Sequence, residues 1–211
     1  MILDIHTHHQ DYDRAVINAS FCDFKPSQGL FYSLGIHPWD IDKINIETAL
    51  KTIETFAANN EQVVAIGECG IDTLTTTPID VQAHVFEAHI KLSEHIKKPL
   101  IIHSVHGSNE IIRLHKKHNP QQAWIIHGFR SNNVNILTSF LKEKNIYVSI
   151  GEIFGKDAIR AIPEARLLLE TDESNLSIKE IAKRVAEALN QSTQHILNVI
   201  AKNNKTALFS K

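Results

Sequence analysis

Histidine is unusually frequent in this chain, with 13 among 211 residues against a single methionine. The histidines fall into a pattern with several carboxylates. His6 and His8 stand in Asp4-Ile5-His6-Thr7-His8, His37 in Gly35-Ile36-His37-Pro38-Trp39, and Glu68 in Ala65-Ile66-Gly67-Glu68-Cys69-Gly70-Ile71-Asp72. His103 follows Pro99-Leu100-Ile101-Ile102, His127 follows Ile125-Ile126, and Asp172 closes Leu167-Leu168-Leu169-Glu170-Thr171-Asp172. Imidazole nitrogens and carboxylate oxygens are the ligands of divalent metals. Two residues apart in an extended segment, His6 and His8 point to one side, so both rings can reach one ion. A metal centre assembled from distant parts of the chain is the chemistry this pattern proposes.

Such a cluster needs a scaffold that brings the segments together. Each site residue follows a short apolar run: Ile2–Ile5, Phe31–Ile36, Val63–Gly67, Leu100–Ile102, Ala123–Ile126, Ile146–Ile150 and Leu167–Leu169. Near-continuous apolar character suits parallel strands buried on both faces. The amphipathic stretches between them, Ile46–Ala58, Pro78–Lys97, Ser108–His118, Asn132–Lys144, Ser177–Leu189 and Thr193–Ala201, read as helices. Ser177 with Glu180 fits a capping box. This alternation implies a parallel sheet. Ala15–Ala19 is a weak eighth strand with no helix between it and the first. The expected fold is an α/β, TIM-type (β/α) barrel, trimmed and irregular near residues 10–30, with an open three-layer sheet as the alternative. In the barrel, the strand ends converge on the face where chemistry sits.

Residues 1–211 read as one domain, for no linker, repeat or block of like charge interrupts them. A composition of 43% hydrophobic and 22% charged residues argues against disorder. No apolar run is long enough to cross a membrane, and the start carries no signal-peptide pattern. Two cysteines, Cys22 and Cys69, suggest a reducing compartment, the cytoplasm, and Cys69 is expected to be buried. A net charge of −2 excludes a strongly basic DNA-coating protein. A monomer is the default, since no heptad seam or long apolar edge is visible.

The ordered set D-x-H-x-H, G-I-H-P-W, G-E-C-G-I-D, P-L-I-I-H-S, I-I-H-G-F and E-T-D, with the tail N-K-T-A-L-F at 204–209, resembles the TatD family of metal-dependent deoxyribonucleases. The family is part of the amidohydrolase-like barrels, and the resemblance runs from residue 2 to about residue 209. It implies two divalent ions, magnesium or manganese in function with zinc possible. It implies His6 and His8 as ligands of the first and Glu68 as the bridging carboxylate. His103 and His127 match ligands of the second ion, and Asp172 the carboxylate that also takes the proton of the nucleophilic water. His37 matches the histidine beside the substrate phosphate. Two departures stand out: only 28 residues separate His8 from His37, and the family's R-N-x-P segment after E-T-D is absent. Val105 stands where the family carries an arginine after H-S, and His106 is the alternative on the phosphate side.

Two ions about 3.5–4 Å apart can hold a hydroxide and clamp both oxygens of a phosphodiester. Asp72 is expected to hold a ligand or to serve a turn, and Trp39 to line the mouth of the site. Glu152 is a minor candidate, while His9, His115, His118 and His195 are expected at the surface and His84, His89 and His95 in surface or packing roles. The lysines are scattered, so the expected substrate is a DNA end or a small phosphodiester, with weak affinity for duplex. Two other readings share the scaffold: an amidohydrolase on C–N or lactone bonds, and a non-enzymatic barrel partner in a larger complex. Many enzymes of the first kind bridge their metals with a modified lysine at a strand end, where Glu68 stands instead; the second leaves a full ligand set unexplained.

Overall fold

In the computed structural model, which describes residues 1–10 and 12–209, eight strands pair in sequence order and every pairing is parallel. They are β1 (Asp4–Thr7), β2 (Ala15–Asn18), β3 (Phe31–Leu34), β4 (Val63–Asp72), β5 (Leu100–Val105), β6 (Trp124–Ile126), β7 (Ile146–Ile150) and β8 (Leu167–Leu169). A parallel bridge between Thr7 and Asp172 returns the end of β8 to β1 and closes the barrel. Among the described residues seven α-helices surround it: α1 (Ile46–Asn59), α2 (Ile79–Ile96), α3 (Ser108–His118), α4 (Val134–Leu141), α5 (Lys156–Ala161), α6 (Ile178–Leu189) and α7 (Thr193–Phe209). Among the described residues no helix separates β1, β2 and β3, so the irregular stretch lies where the sequence places it.

Several boundaries move. β1 is Asp4–Thr7 rather than Ile2–Ile5, because its partner Ala15–Ile17 begins opposite Asp4. β4 does not stop at Gly67: pairing with β5 is irregular between Ile66 and Cys69, then resumes to Asp72. Glu68 therefore lies inside a strand. Helix α4 is shorter than its apolar pattern, and α7 runs on past Ala201 because two buried asparagines anchor its polar stretch. Asn203 Nδ2 donates to Leu167 O at 2.8 Å and Asn204 Nδ2 to Ile2 O at 3.2 Å. The Ser177–Glu180 capping box forms as its sequence implies.

The interior shows why the ligands converge. Ile101, Ile125 and Leu168 are in the apolar cluster inside the barrel, plugged below by Ala207 and Leu208 of α7. Two residues further along the same strands come His103, His127 and Glu170. Side chains of a strand alternate with period two, so the apolar layer places the polar layer above it. The other strand face packs on the helices through residues such as Ile53, Ile90, Leu114 and Val185.

Two histidines of the helical layer are buried. His115, expected at the surface, turns to the sheet beside Trp124, and its Nε2 meets Asn145 Oδ1 at 2.7 Å. On α2, His89 donates from Nδ1 to Val85 O at 2.8 Å and accepts the Ile36 N–H on Nε2 at 3.1 Å, which fixes the backbone just before His37. Burial pushes its pKa from 6.5 down to about 4, against the opposing effect of the bond to Val85. The folded state thus holds the neutral ring where the unfolded chain already binds a proton. Stability from this group is full above pH 6.5 and is lost as pH falls toward 4. At 1.36 kcal/mol per pH unit the gap amounts to about 3 kcal/mol. Urea unfolding at neutral and acid pH will show a smaller acid loss for His89→Gln than for the parent; equal losses would refute this.

Candidate metal centre

Three strands deliver the first group of ligating atoms. His6 Nε2 lies 3.3 Å from Glu68 Oε2 and 3.8 Å from Asp172 Oδ1. His8 Nε2 lies 3.7 Å from Glu68 Oε2 and 3.6 Å from Asp172 Oδ1. The barrel closure sets this approach: His8 N–H donates to Asp172 O at 3.0 Å and Asp172 N–H to His6 O at 3.0 Å. Asp4 reinforces the seam, accepting from Thr171 N at 3.1 Å and from Thr171 Oγ1 at 2.7 Å. Its burial pushes its carboxyl up to about 7, despite those bonds.

The second group forms around the other oxygen of the same carboxylate. His103 Nδ1 and His127 Nε2 each lie 2.7 Å from Glu68 Oε1, and His37 Nε2 lies 3.3 Å from it. Glu68 thus directs one oxygen to each group. Asn18, at the end of β2, steadies it: its Nδ2 donates to Glu68 Oε2 at 3.4 Å and its Oδ1 accepts Glu68 N–H at 3.2 Å.

Neighbouring carboxylates assign the ring protons. Asp72 Oδ2 accepts from His103 Nε2 at 3.1 Å, which leaves the Nδ1 lone pair facing Glu68. Glu170 Oε1, 3.5 Å from His127 Nδ1, draws the proton of that ring to the far side in the same way. His37 is the reverse case. Its Nδ1 accepts Trp39 N–H at 3.1 Å, so a neutral ring carries its proton on Nε2 and faces the site as a donor.

This arrangement calls for a cation. Two imidazole lone pairs directed at an ionised carboxylate oxygen repel it unless positive charge lies between them. Without a cation, ring protons must take its place: burial alone would raise the Glu68 carboxyl, yet a charge on His127 and hydrogen bonds from His103, His127 and His37 hold it well below the usual range. Burial likewise opposes charge on His127, but Glu68 and Glu170 drive it well above its ordinary value. Meanwhile His6 is fully buried, and neither ring nitrogen is hydrogen-bonded among the described residues. A buried polar atom without a partner costs about 1–3 kcal/mol, which ligation would relieve. The donor set, four imidazoles and two carboxylates, fits divalent metal.

The remaining residues of the sequence reading fall as follows. Asp72 holds the His103 ring and also caps the turn at Leu74 N–H. Trp39, 59% exposed, stands at the mouth, with its Nε1 donating to Asp72 Oδ2 at 2.7 Å. His106 lies next to this rim in an antiparallel bridge with Asp72 and carries a left-handed backbone, φ 53°. Glu152 is held by Ser174 Oγ at 2.6 Å and Arg184 Nη1 at 3.3 Å. Cys69 is buried as expected, and Lys98 binds the carbonyls of Ala57 and Val63 at the opposite end of the barrel. There a wider cleft of about 970 Å³, bordered by Asn60, Val63, Lys98 and Phe209, holds none of the ligating groups. Three site residues escaped the sequence reading: Asn18, Glu170 as the partner of His127, and Arg130, whose Nη2 lies 3.2 Å from Asp172 Oδ2. Asn18 and Glu170 do share a signal, a polar residue at a strand end; Arg130 has none.

The sequence model of the TatD related DNase family matches residues 23–210. The chain is 27% identical to the metal-dependent hydrolase YabD of Bacillus subtilis, over 92% of this chain and 83% of that protein. It is 28% identical to a 3′-5′ ssDNA/RNA exonuclease TatD of Citrobacter rodentium, over 79% of this chain and 66% of that protein. With three further relatives the alignments span only 62%, 59% and 61% of their lengths. The crystal structure of the TatD homologue YjjV of Escherichia coli superposes with a TM-score of 0.86 at 19% identity, covering 100% of this chain and 98% of that one, and so shares the barrel fold. With the family model spanning nearly all of the chain and the fold in agreement, this protein belongs to the TatD related DNase family of metal-dependent hydrolases.

Proposed function

We propose that the chain hydrolyses phosphodiester bonds at the ends of nucleic-acid strands, using two divalent ions, with residues 1–211 acting as one catalytic domain. The observation that carries this reading is the division of the two Glu68 oxygens between separate groups of imidazoles. His6, His8 and Asp172 would hold one ion and His103 and His127 the other, with Glu68 shared. Magnesium or manganese suits the carboxylates, and zinc the imidazoles. When bound, such ions supply Lewis-acid activation of water and neutralise phosphate charge.

The side chains divide the other tasks. Asp172 Oδ1 faces the first group while Oδ2 is occupied by Arg130, so Oδ1 is placed to take a proton from an attacking water. His37 offers its Nε2 proton to phosphate charge or to the leaving oxygen, and its place in the hydrogen-bond network keeps that proton on the site side. Trp39 presents an exposed ring whose centroid is 4.9 Å from that of His37, a surface on which a base can stack. The named activity of the Citrobacter relative supports a nucleic-acid strand as substrate.

The test is release of nucleotides from a 3′-labelled single-stranded oligonucleotide in Mg²⁺ or Mn²⁺. Release that stops with EDTA and returns with metal is the expected result. No release from protein shown to bind metal would overturn the nuclease assignment and leave the metal centre standing.

A further inference from the structure

We infer that Arg130 is a substrate-binding residue that takes a phosphate oxygen of the strand on the Asp172 side of the site; this rests on the nuclease reading above. The backbone that carries it is pinned from two directions. Gly128 N–H donates to Glu170 Oε1 at 2.5 Å, Phe129 N–H to Ser149 O at 3.0 Å, and the Phe129 side chain is buried. A residue that follows directly on such an anchor leaves the barrel at a fixed place. The Arg130 side chain is 62% exposed, yet it turns back to Asp172 rather than out to solvent.

That contact has two consequences. Asp172 is divided as Glu68 is, with Oδ1 toward His6 and His8 and Oδ2 toward Arg130. The guanidinium also commits a single N–H, since none of its other four has a partner among the described residues. An exposed pair of this kind adds little to stability, so fold stability does not explain its placement. A planar fork with unused donors is the shape that binds phosphate in two places at once.

Arg130 stands alone in positive charge on this side of the site. Arg130 and Asp172 border a cleft of about 120 Å³ with Gly151, Thr171 and Ser174, and Arg130 is the only cation among the residues lining it. Of the carboxylates that also line it, Glu152 is engaged by Ser174 and Arg184 and Glu170 by Gly128 N–H, while Glu173 adds further negative charge. An anionic strand reaching Asp172 would otherwise meet carboxylates on this side. Arg130 supplies the one opposite charge there, held within 3.2 Å of a group of the site.

The test reads binding, not turnover. A short fluorescein-labelled oligothymidylate is titrated with the Glu68→Gln protein in Mg²⁺ over a range of salt, with and without Arg130→Gln or Arg130→Lys. Arg130→Gln is expected to weaken binding about tenfold and to flatten the plot of log K against log salt by about 0.7, the share of one single-strand phosphate contact. Arg130→Lys keeps the slope and loses part of the affinity. The same titration of the parent site in EDTA covers the case in which Glu68→Gln does not fold. Strand binding with the slope unchanged by Arg130→Gln would overturn the role of Arg130 and leave the nuclease reading intact. Absence of strand binding in every protein would overturn both.

Discussion

Glu68→Gln will lower hydrolysis by about a thousandfold or more while leaving the barrel folded, because it removes the one group shared by both halves of the site. The substitution preserves volume and the Asn18 contact to the backbone N–H, so the change is electrostatic. A carboxylate offers two equivalent acceptors, one 3.3 Å from His6 Nε2 and the other 2.7 Å from His103 Nδ1 and His127 Nε2. An amide is neutral and offers one acceptor and one donor group, so both clusters lose the negative charge and, whichever way it turns, one of them also loses its acceptor. Calorimetric titration with Mn²⁺ will show weaker uptake or a lower stoichiometry beside the lost activity. Hydrolysis within tenfold of the parent, with two metals still bound, would show that Glu68 does not join the two groups.

This carboxylate also marks where the sequence was legible. Apolar runs followed by His, Glu or Asp marked the residues that the barrel brings into the two groups around Glu68, because a parallel barrel gathers strand ends on one face. β7, β8 and α3 have the bounds that their patterns imply. Positions fixed only by pairing were not legible. Nothing local to Val63–Gly67 says that its strand continues through Glu68, because the continuation depends on β5 resuming at Cys69. Asn18 ends β2, which its sequence marks only as a weak strand and which gives no sign of reaching Glu68, and Arg130 is a lone arginine until the end of β8 brings Asp172 against it. His89 carries no sign of burial in its own residue type; the helix turns it toward Ile36. Chemistry-bearing residues were visible one at a time, whereas their mutual support depends on register.

Gly70→Ala tests that register directly and is expected to cost about 3–5 kcal/mol, with a fall in Tm on the order of 10 °C. Gly70 sits opposite His103 in the β4–β5 pairing with φ 146°, a backbone region that side chains rarely adopt. An added Cβ would lie 3.0 Å from the His103 backbone C and N and closer still to its carbonyl oxygen. No flexible side chain is there to yield, so the strands themselves must part. Parting them moves His103 away from Glu68 Oε1 and from Asp72 Oδ2, both of which it now reaches at hydrogen-bond distance. Stability and metal affinity should therefore fall together in this variant, whereas Glu68→Gln lowers metal uptake with the fold kept. A thermal melt and a Mn²⁺ titration on Gly70→Ala check both at once. A destabilisation under about 1 kcal/mol would show that the strands adapt to a Cβ here. In that case the close approach of β4 and β5 would not be what sets His103 against Glu68.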